Sequence, residues 1–293
     1  MKARVITGLV GLGIAIAVLC FITSPLLGIL IVPFAALAAF EIMHVAGVRS
    51  KPMLGLGIAV AAALPPLIEY DVLCRLHIPV SAALTCYMLL LFALMLVRHE
   101  ETKFEHVPMT LLASLAVPCA LSALTGTRDL LRLQEGAAFH QSLAIYFLYF
   151  TLSLAWITDT FAYFVGVKFG KHKLCPKISP KKTVEGALSG LLLTAGFNAL
   201  FAFLFNTFWL DGFRLRIWVI LLVSLFVSVI SMLGDLTASL LKRNFGAKDF
   251  GKLFPGHGGV MDRFDSLLFV APTLYILLLL SFTYHIPAFY MPL

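Results

Sequence analysis

Apolar runs close to 20 residues long recur along this chain, and a helix of that length and character matches the hydrocarbon thickness of a bilayer. Nine can be marked, at roughly 5–22, 25–40, 53–69, 78–97, 107–125, 140–167, 186–206, 217–236 and 265–286. The second and third are the shortest. Of the 293 residues, 60% are hydrophobic and 13% charged, with a mean hydropathy of +0.97. A soluble domain of this size needs far more charge to cover its surface. The expected fold class is therefore an all-α integral membrane protein of about nine transmembrane helices. The first run follows Lys2 and Arg4, as in a secretory signal, but no cleavage site leads into a soluble domain and more spans follow. It is read as a retained span. Cys20, Cys74, Cys86, Cys119 and Cys175 are scattered with no CxxC pair, so neither a zinc site nor a disulfide framework is expected.

Basic residues orient the spans. With nine spans and a cytoplasmic N-terminus, 17 of the 22 Lys and Arg residues fall on the cytoplasmic side and five (Arg75, Arg128, Arg132, Arg214, Arg216) on the other. Eleven of the 17 lie in two loops, 168–183 and 237–264, more than orientation alone requires. Residues 1–138 thus read as a transmembrane scaffold of about five helices. Residues 139–293 read as a catalytic part of about four helices, with cytoplasmic loops 168–185 and 237–264.

The first polar cluster is "DTFAYFVGVKFGKHKLCPKISPKKTVEGALSG", 159–190. Asp159 is an acid in an apolar run, where charge is expensive. Asp159, Tyr163, Gly166 and Gly170 share a helical face, and its small residues allow close backbone approach. Pro176 and Pro180 make the lysine-rich stretch a loop. Thr183 or a neighbour caps a following helix with Glu185 in its first turn. A basic cytoplasmic loop with a capped helix behind it accounts for all of this. So does an anion site, with lysines and a helix N-terminus facing a polyphosphate.

The second cluster is "GDLTASLLKRNFGAKDFGKLFPGHGGVMDRFDS", 234–266. Asp235, Ser239 and Lys242 are spaced to share a face of the eighth span. Gly258-Gly259 permits close approach of backbone to a ligand. Asp262 and Asp265, three apart, are expected side by side in the first turn of the last span, where they also suit the helix dipole. Singly, each residue has an ordinary structural account. Together, carboxylates, a hydroxyl and bases suit Mg²⁺ with phosphates. The residues point to phosphoryl or nucleotidyl transfer at the cytoplasmic surface and name no substrate.

Ser239 to Asp265 resembles the signature of the phosphatidate cytidylyltransferases, or CDP-diacylglycerol synthases. Ser239, Lys242, Arg243, Lys248, Asp249, Gly251, Pro255, His257, Gly258, Gly259, Asp262, Arg263 and Asp265 all fall in the pattern S-x-apolar-K-R, K-D, H-G-G-apolar-x-D-R-apolar-D. Asp159, Ala162, Tyr163, Gly166, Gly170, Ser179, Pro180, Lys182, Thr183, Glu185 and Gly186 resemble the family's upstream block. Two departures stand out: Val167 where the family often has a base, and Ser189 in the first place of a Gly-Gly pair.

The resemblance implies that CTP and phosphatidate give CDP-diacylglycerol and pyrophosphate, by attack of the lipid phosphate on the α-phosphorus. On this basis Asp235 and Asp262 are expected to hold catalytic Mg²⁺, with a second cation such as K⁺ left open. Lys242, Arg243, Lys248 and Arg263 are assigned to phosphate charge, and Lys182 to a phosphate from the first loop. Asp159, Asp249 and Asp265 support the metal or a second cation. Ser179, Thr183, Glu185, Ser239, His257, Gly258 and Gly259 complete the expected substrate-binding set. The resemblance also suggests a homodimer in a bacterial cell membrane, active site facing the cytoplasm, with the lipid bilayer and no nucleic acid as partner. The alternatives are a CTP-dependent polyprenol or dolichol kinase, an anionic-solute transporter and a structural membrane subunit. Glu41, with His44 after the second run, is left without a role.

Overall fold

A computed structural model describes residues 24, 26–132, 137–210, 213–254, 258–284 and 289–292. The first predicted span and His257 lie outside the described residues. The helices are α1 (Leu27–Val45), α2 (Lys51–Glu69), the single turn α3 (Val72–Arg75), α4 (Val80–Val97), α5 (His106–Leu111), α6 (Val117–Arg132) and α7 (Ala137–Phe169). They continue with α8 (Val184–Phe208), α9 (Ile217–Asn244), the short α10 (Met261–Phe264) and α11 (Leu267–Thr283). α5 runs into α6 through a π-helical turn, Leu112–Ala116. Pro118 follows that turn, and its ring and missing N–H disfavour a regular bond to the carbonyl four residues back, which a wider turn relieves.

Among the described residues, seven helices are long and apolar enough to cross a membrane: 27–45, 51–69, 80–97, 106–131, 141–169, 184–208 and 217–244. At about 1.5 Å per residue the shortest reaches roughly the thickness of the hydrocarbon core. The last predicted span, 265–286, is shorter in the structure, a 17-residue helix that starts only at Leu267. Among the described residues, the strands form one antiparallel hairpin, β1 (Lys173–Cys175) with β2 (Ser179–Thr183), and one antiparallel pair distant in sequence, β3 (Phe213–Leu215) with β4 (Tyr290–Pro292).

Two compact units divide the described chain. The first holds the residues up to Thr125 together with Lys242–Phe264; the second holds Gly126–Leu241 and Asp265–Leu293. The core of the first is the apolar face of α1 and α2, with Ala35, Ala39, Ile42, Met43, Met53 and Ala61 closed to solvent. Leu84, Leu89, Leu90 and Leu96 of α4 stay exposed, as a lipid-facing helix allows. In the second unit α7 and α8 meet at backbone distance. A Cβ on Gly186 would lie 2.5 Å from the carbonyl oxygen of Ala162 and 3.0 Å from Cα of Gly166. Small residues let membrane helices gain dispersion contacts that larger ones would prevent. Gly190, the retained glycine beside Ser189, faces Thr158 and Ala162 in the same seam. The Ser189 hydroxyl turns back to its own helix, donating to the Gly186 carbonyl at 2.7 Å.

Candidate functional site

The second unit carries the first cluster. The lysine-rich segment is the β1–β2 hairpin rather than an irregular loop, with Lys173 opposite Thr183 and Cys175 opposite Ser179. The register slips between those pairs, on the stretch where Pro180 supplies no ladder donor. Thr183 is the N-cap of α8, its hydroxyl accepting from Gly186 N at 3.2 Å, as the sequence predicts. Glu185 is tied to the hairpin. Its carboxylate accepts the backbone N–H of Lys171 (3.1 Å) and of His172 (3.2 Å), and the His172 Nδ1–H at 2.6 Å. Ser179 is half-buried in β2.

Lys182, on the same strand, pairs through its ammonium with Oδ2 of Asp235 on α9. Ser239, one turn on, donates to Oδ1 of Asp235 at 3.4 Å. Asp159 on α7 accepts from the Ser266 hydroxyl at 2.8 Å. Gly166 and Gly170 look toward Thr183, whereas Tyr163 is exposed. Val167, the other departure from the family pattern, is exposed too.

The first unit carries most of the second cluster, and its centre is Asp262. Lys242 Nζ donates to Oδ1 at 2.6 Å. The backbone N–H groups of Phe250 and Gly259 both donate to Oδ2 at 2.9 Å. The Lys242 ammonium also lies 5.1 Å from the centroid of the Phe250 ring, a cation–π contact. Gly258 has φ +84°, and a Cβ there would sit 2.6 Å from Oδ2 of Asp262. Glycine meets both demands at once: the left-handed backbone and the space beside the carboxylate. Arg243 is exposed and donates to the Ala247 carbonyl at 3.0 Å. Lys248, Asp249 and Arg263 are exposed.

The expected pairing of Asp262 with Asp265 in one turn of the last span is not what forms. The chain breaks at Asp265-Ser266: Asp262 sits in the separate short helix α10, and α11 begins after the break. Asp265 belongs to the second unit, is 9% exposed, and accepts the Ser266 N–H at 2.8 Å. Lys242 turns to Asp262, while Ser239 on the same helix turns to Asp235.

A carboxylate offers about four lone-pair positions. Three donors reach Asp262, and the Lys182 ammonium and Ser239 hydroxyl reach Asp235, so each acid keeps acceptor capacity for a hard cation. Among the described residues no three His, Cys, Asp or Glu side chains gather closely enough to hold a metal by themselves. Mg²⁺ takes one or two carboxylates and completes its shell with phosphate and water, so acids with acceptor capacity left suit its chemistry.

Two residues that the sequence leaves without a role take part. Ser266 ties Asp159 to the start of α11. Glu41, on α1, accepts the backbone N–H groups of Val260 (3.0 Å) and Met261 (2.8 Å). An acid in an otherwise apolar helix is the sequence signal for Glu41; nothing in the sequence names its partners.

The match to a cytidylyltransferase family model runs over residues 2–281. The chain is 33% identical over 291 residues to a phosphatidate cytidylyltransferase of Bacillus subtilis, covering 96% of this chain and 98% of that protein. It is 46% identical over 135 residues to one of Staphylococcus haemolyticus and 45% identical over 141 residues to one of Staphylococcus aureus. These two matches take in 46% and 48% of this chain, and the chain spans about half the length of those staphylococcal relatives. By its match over nearly the whole sequence, the chain belongs to the cytidylyltransferase family.

Proposed function

We propose that this chain is a membrane-embedded phosphatidate cytidylyltransferase. A phosphate oxygen of phosphatidate attacks the α-phosphorus of CTP, the bond to the β-phosphate oxygen breaks, and CDP-diacylglycerol and pyrophosphate result. The observation that carries the reading is the environment of Asp262 within the Ser239–Asp265 signature. A carboxylate fixed by Lys242 and two backbone N–H groups is preorganised to hold a cation, whose positive charge would offset the negative charge of the phosphates.

Asp235 and Asp262 are the proposed Mg²⁺ ligands, and the metal would supply Lewis-acid charge at the phosphates. Lys242 and Lys182 hold these two acids in place and stand ready to meet phosphate oxygens. Exposed Arg243, Lys248 and Arg263 attract the nucleotide's charge. Asp159, Asp249 and Asp265 support the ligands or a second cation such as K⁺. Hydrogen bonds from Ser266 to Asp159, and from the loop backbone to Glu185, favour placing those two acids in support rather than at the reacting atoms.

The lysine-rich hairpin and the 242–264 segment are proposed to face the cytoplasm, with nine spans and the N-terminus inside, from the distribution of basic residues. A site at that surface lets a lipid and a highly charged nucleotide meet. A homodimer in the cell membrane is part of the same proposal.

The test uses the full chain in mixed micelles with phosphatidate, Mg²⁺ and CTP labelled at the α- or γ-phosphorus. Label entering lipid from the α position, with pyrophosphate released, is the expected result. Label entering an added polyprenol from the γ position identifies a kinase instead. Transfer from neither position, by folded protein, rules out both enzymes and makes solute uptake in liposomes the next assay.

A further inference from the structure

Glu41 lies four residues from the end of α1, is 5% exposed, and has both carboxylate oxygens engaged. Oε1 accepts from Val260 N and Oε2 from Met261 N. The chain wraps the carboxylate closely. A Cβ on Gly251 would lie 2.2 Å from Oε1, and a Cβ on Gly259 would lie 2.3 Å from both oxygens. Two of the signature's glycines thus leave room for one acid on a distant helix. A buried carboxylate needs such compensation, since an unpaired charge there would cost several kcal/mol.

The two amides that Glu41 binds lie at the start of α10. The first N–H groups of a helix have no partner within it. Gly259 N–H goes to Asp262, Val260 and Met261 N–H go to Glu41, and Arg263 N–H turns back to the Val260 carbonyl at 2.9 Å. Consecutive amides 259, 260 and 261 are therefore held by two carboxylates, one of them Asp262. The same helix, α1, also places Phe34 against Phe264, with ring centroids 5.4 Å apart. α10 is too short to hold its shape alone. Its position is set by α1.

We propose that Glu41 is a positioning residue for cytidylyl transfer: α1 uses it to fix the segment 259–262, and so the orientation of Asp262. This rests on the function proposed above. Charge alone does not explain the choice of glutamate. Glutamine would offer one acceptor oxygen and turn an N–H₂ donor toward the second backbone N–H, and aspartate is one methylene short.

The test compares the wild-type full chain with Glu41→Gln and Glu41→Asp in detergent. Turnover is measured against CTP and phosphatidate, and amide exchange of residues 258–264 is followed without substrates. Glu41→Gln is expected to lower kcat by about 10- to 100-fold, the range seen when a support of a metal ligand is lost. KM for phosphatidate should stay within about twofold, the pattern for a group that does not bind substrate itself. Exchange at Val260 and Met261 should quicken at least tenfold, while exchange in α7 and α8 is unchanged. Glu41→Asp should recover part of kcat.

A kcat within twofold of wild type in Glu41→Gln overturns the positioning role, and unchanged exchange at 260–261 overturns the clamp. Should Glu41→Gln fail to fold, Gly259→Ala is made alone and together with Glu41→Ala. The added methyl should harm exchange protection less once the carboxylate is gone, and equal harm in both backgrounds overturns the proposal. Absence of transfer by the wild-type chain is a failure of the proposed function, and the exchange measurement distinguishes it from a failure of the clamp.

Discussion

The two lysine–aspartate pairs differ in what surrounds them. In the first unit the side chains of Lys242 and Asp262 are 11% and 6% exposed, and two backbone N–H groups complete the carboxylate's partners. In the second unit the side chains of Lys182 and Asp235 are 23% and 21% exposed, and the long Ser239 contact is the one added among the described residues. The first pair is part of the architecture: without it Phe250 and Gly259 lose the carboxylate their amides turn toward. The second is open enough for its charges to be redirected to a ligand at small structural cost. Two pairs of identical chemistry can thus be separated experimentally by whether stability and turnover fall together.

The largest effect is expected at Asp262→Asn. Breaking a buried pair leaves Lys242 uncompensated, at about 3–5 kcal/mol. The new amide turns its N–H₂ either toward the Lys242 ammonium or toward the N–H groups of Phe250 and Gly259, so a contact is lost in either rotamer. Turnover should fall by on the order of 1,000-fold, as for loss of a preorganised charged group. A thermal unfolding scan and the labelled-CTP assay on the same preparation check both. Asp235→Asn should match that loss of turnover with an unfolding midpoint close to wild type. Near-normal turnover there would remove Asp235 from the proposed metal site. Lys182→Met comes next, with about 100-fold lost in turnover and under about 1 kcal/mol in stability. A large drop in its unfolding midpoint would show the two pairs to be alike and break the comparison. The smallest effect is at Thr183→Ala, which removes the cap of α8 and should cost about 1 kcal/mol, read as a modest midpoint shift that Thr183→Ser restores.

Local features were the legible ones. Apolar runs near 20 residues mark α1, α2, α4 and the long helices α7–α9 because spanning is a matter of length and composition. A cap at Thr183 or a neighbour followed from a hydroxyl just ahead of an acid in a helix's first turn, and the structure makes it Thr183, bonded to Gly186 N within one turn. The hairpin 173–183 was legible only as an interruption: Pro176 and Pro180 exclude a helix without specifying the pairing that replaces it. The break at Asp265-Ser266 was hidden for the opposite reason. Nothing in "MDRFDSLLF" forbids one continuous helix. The chain turns there with Asp262 bound to Lys242 and Ser266 bound to Asp159, partners brought by other helices.

By itself, then, the sequence determined the solvent this chain folds in, the approximate spans, the α8 cap and the family signature. Each depends on residues close together along the chain. Tertiary structure alone decided which acid each lysine meets, that Asp262 and Asp265 part company, and that Glu41 holds Val260 and Met261 from 219 and 220 positions away. A hydrogen bond is specified by distance and angle to within tenths of an ångström. Packing of whole helices sets those quantities, and no spacing rule along the sequence carries them.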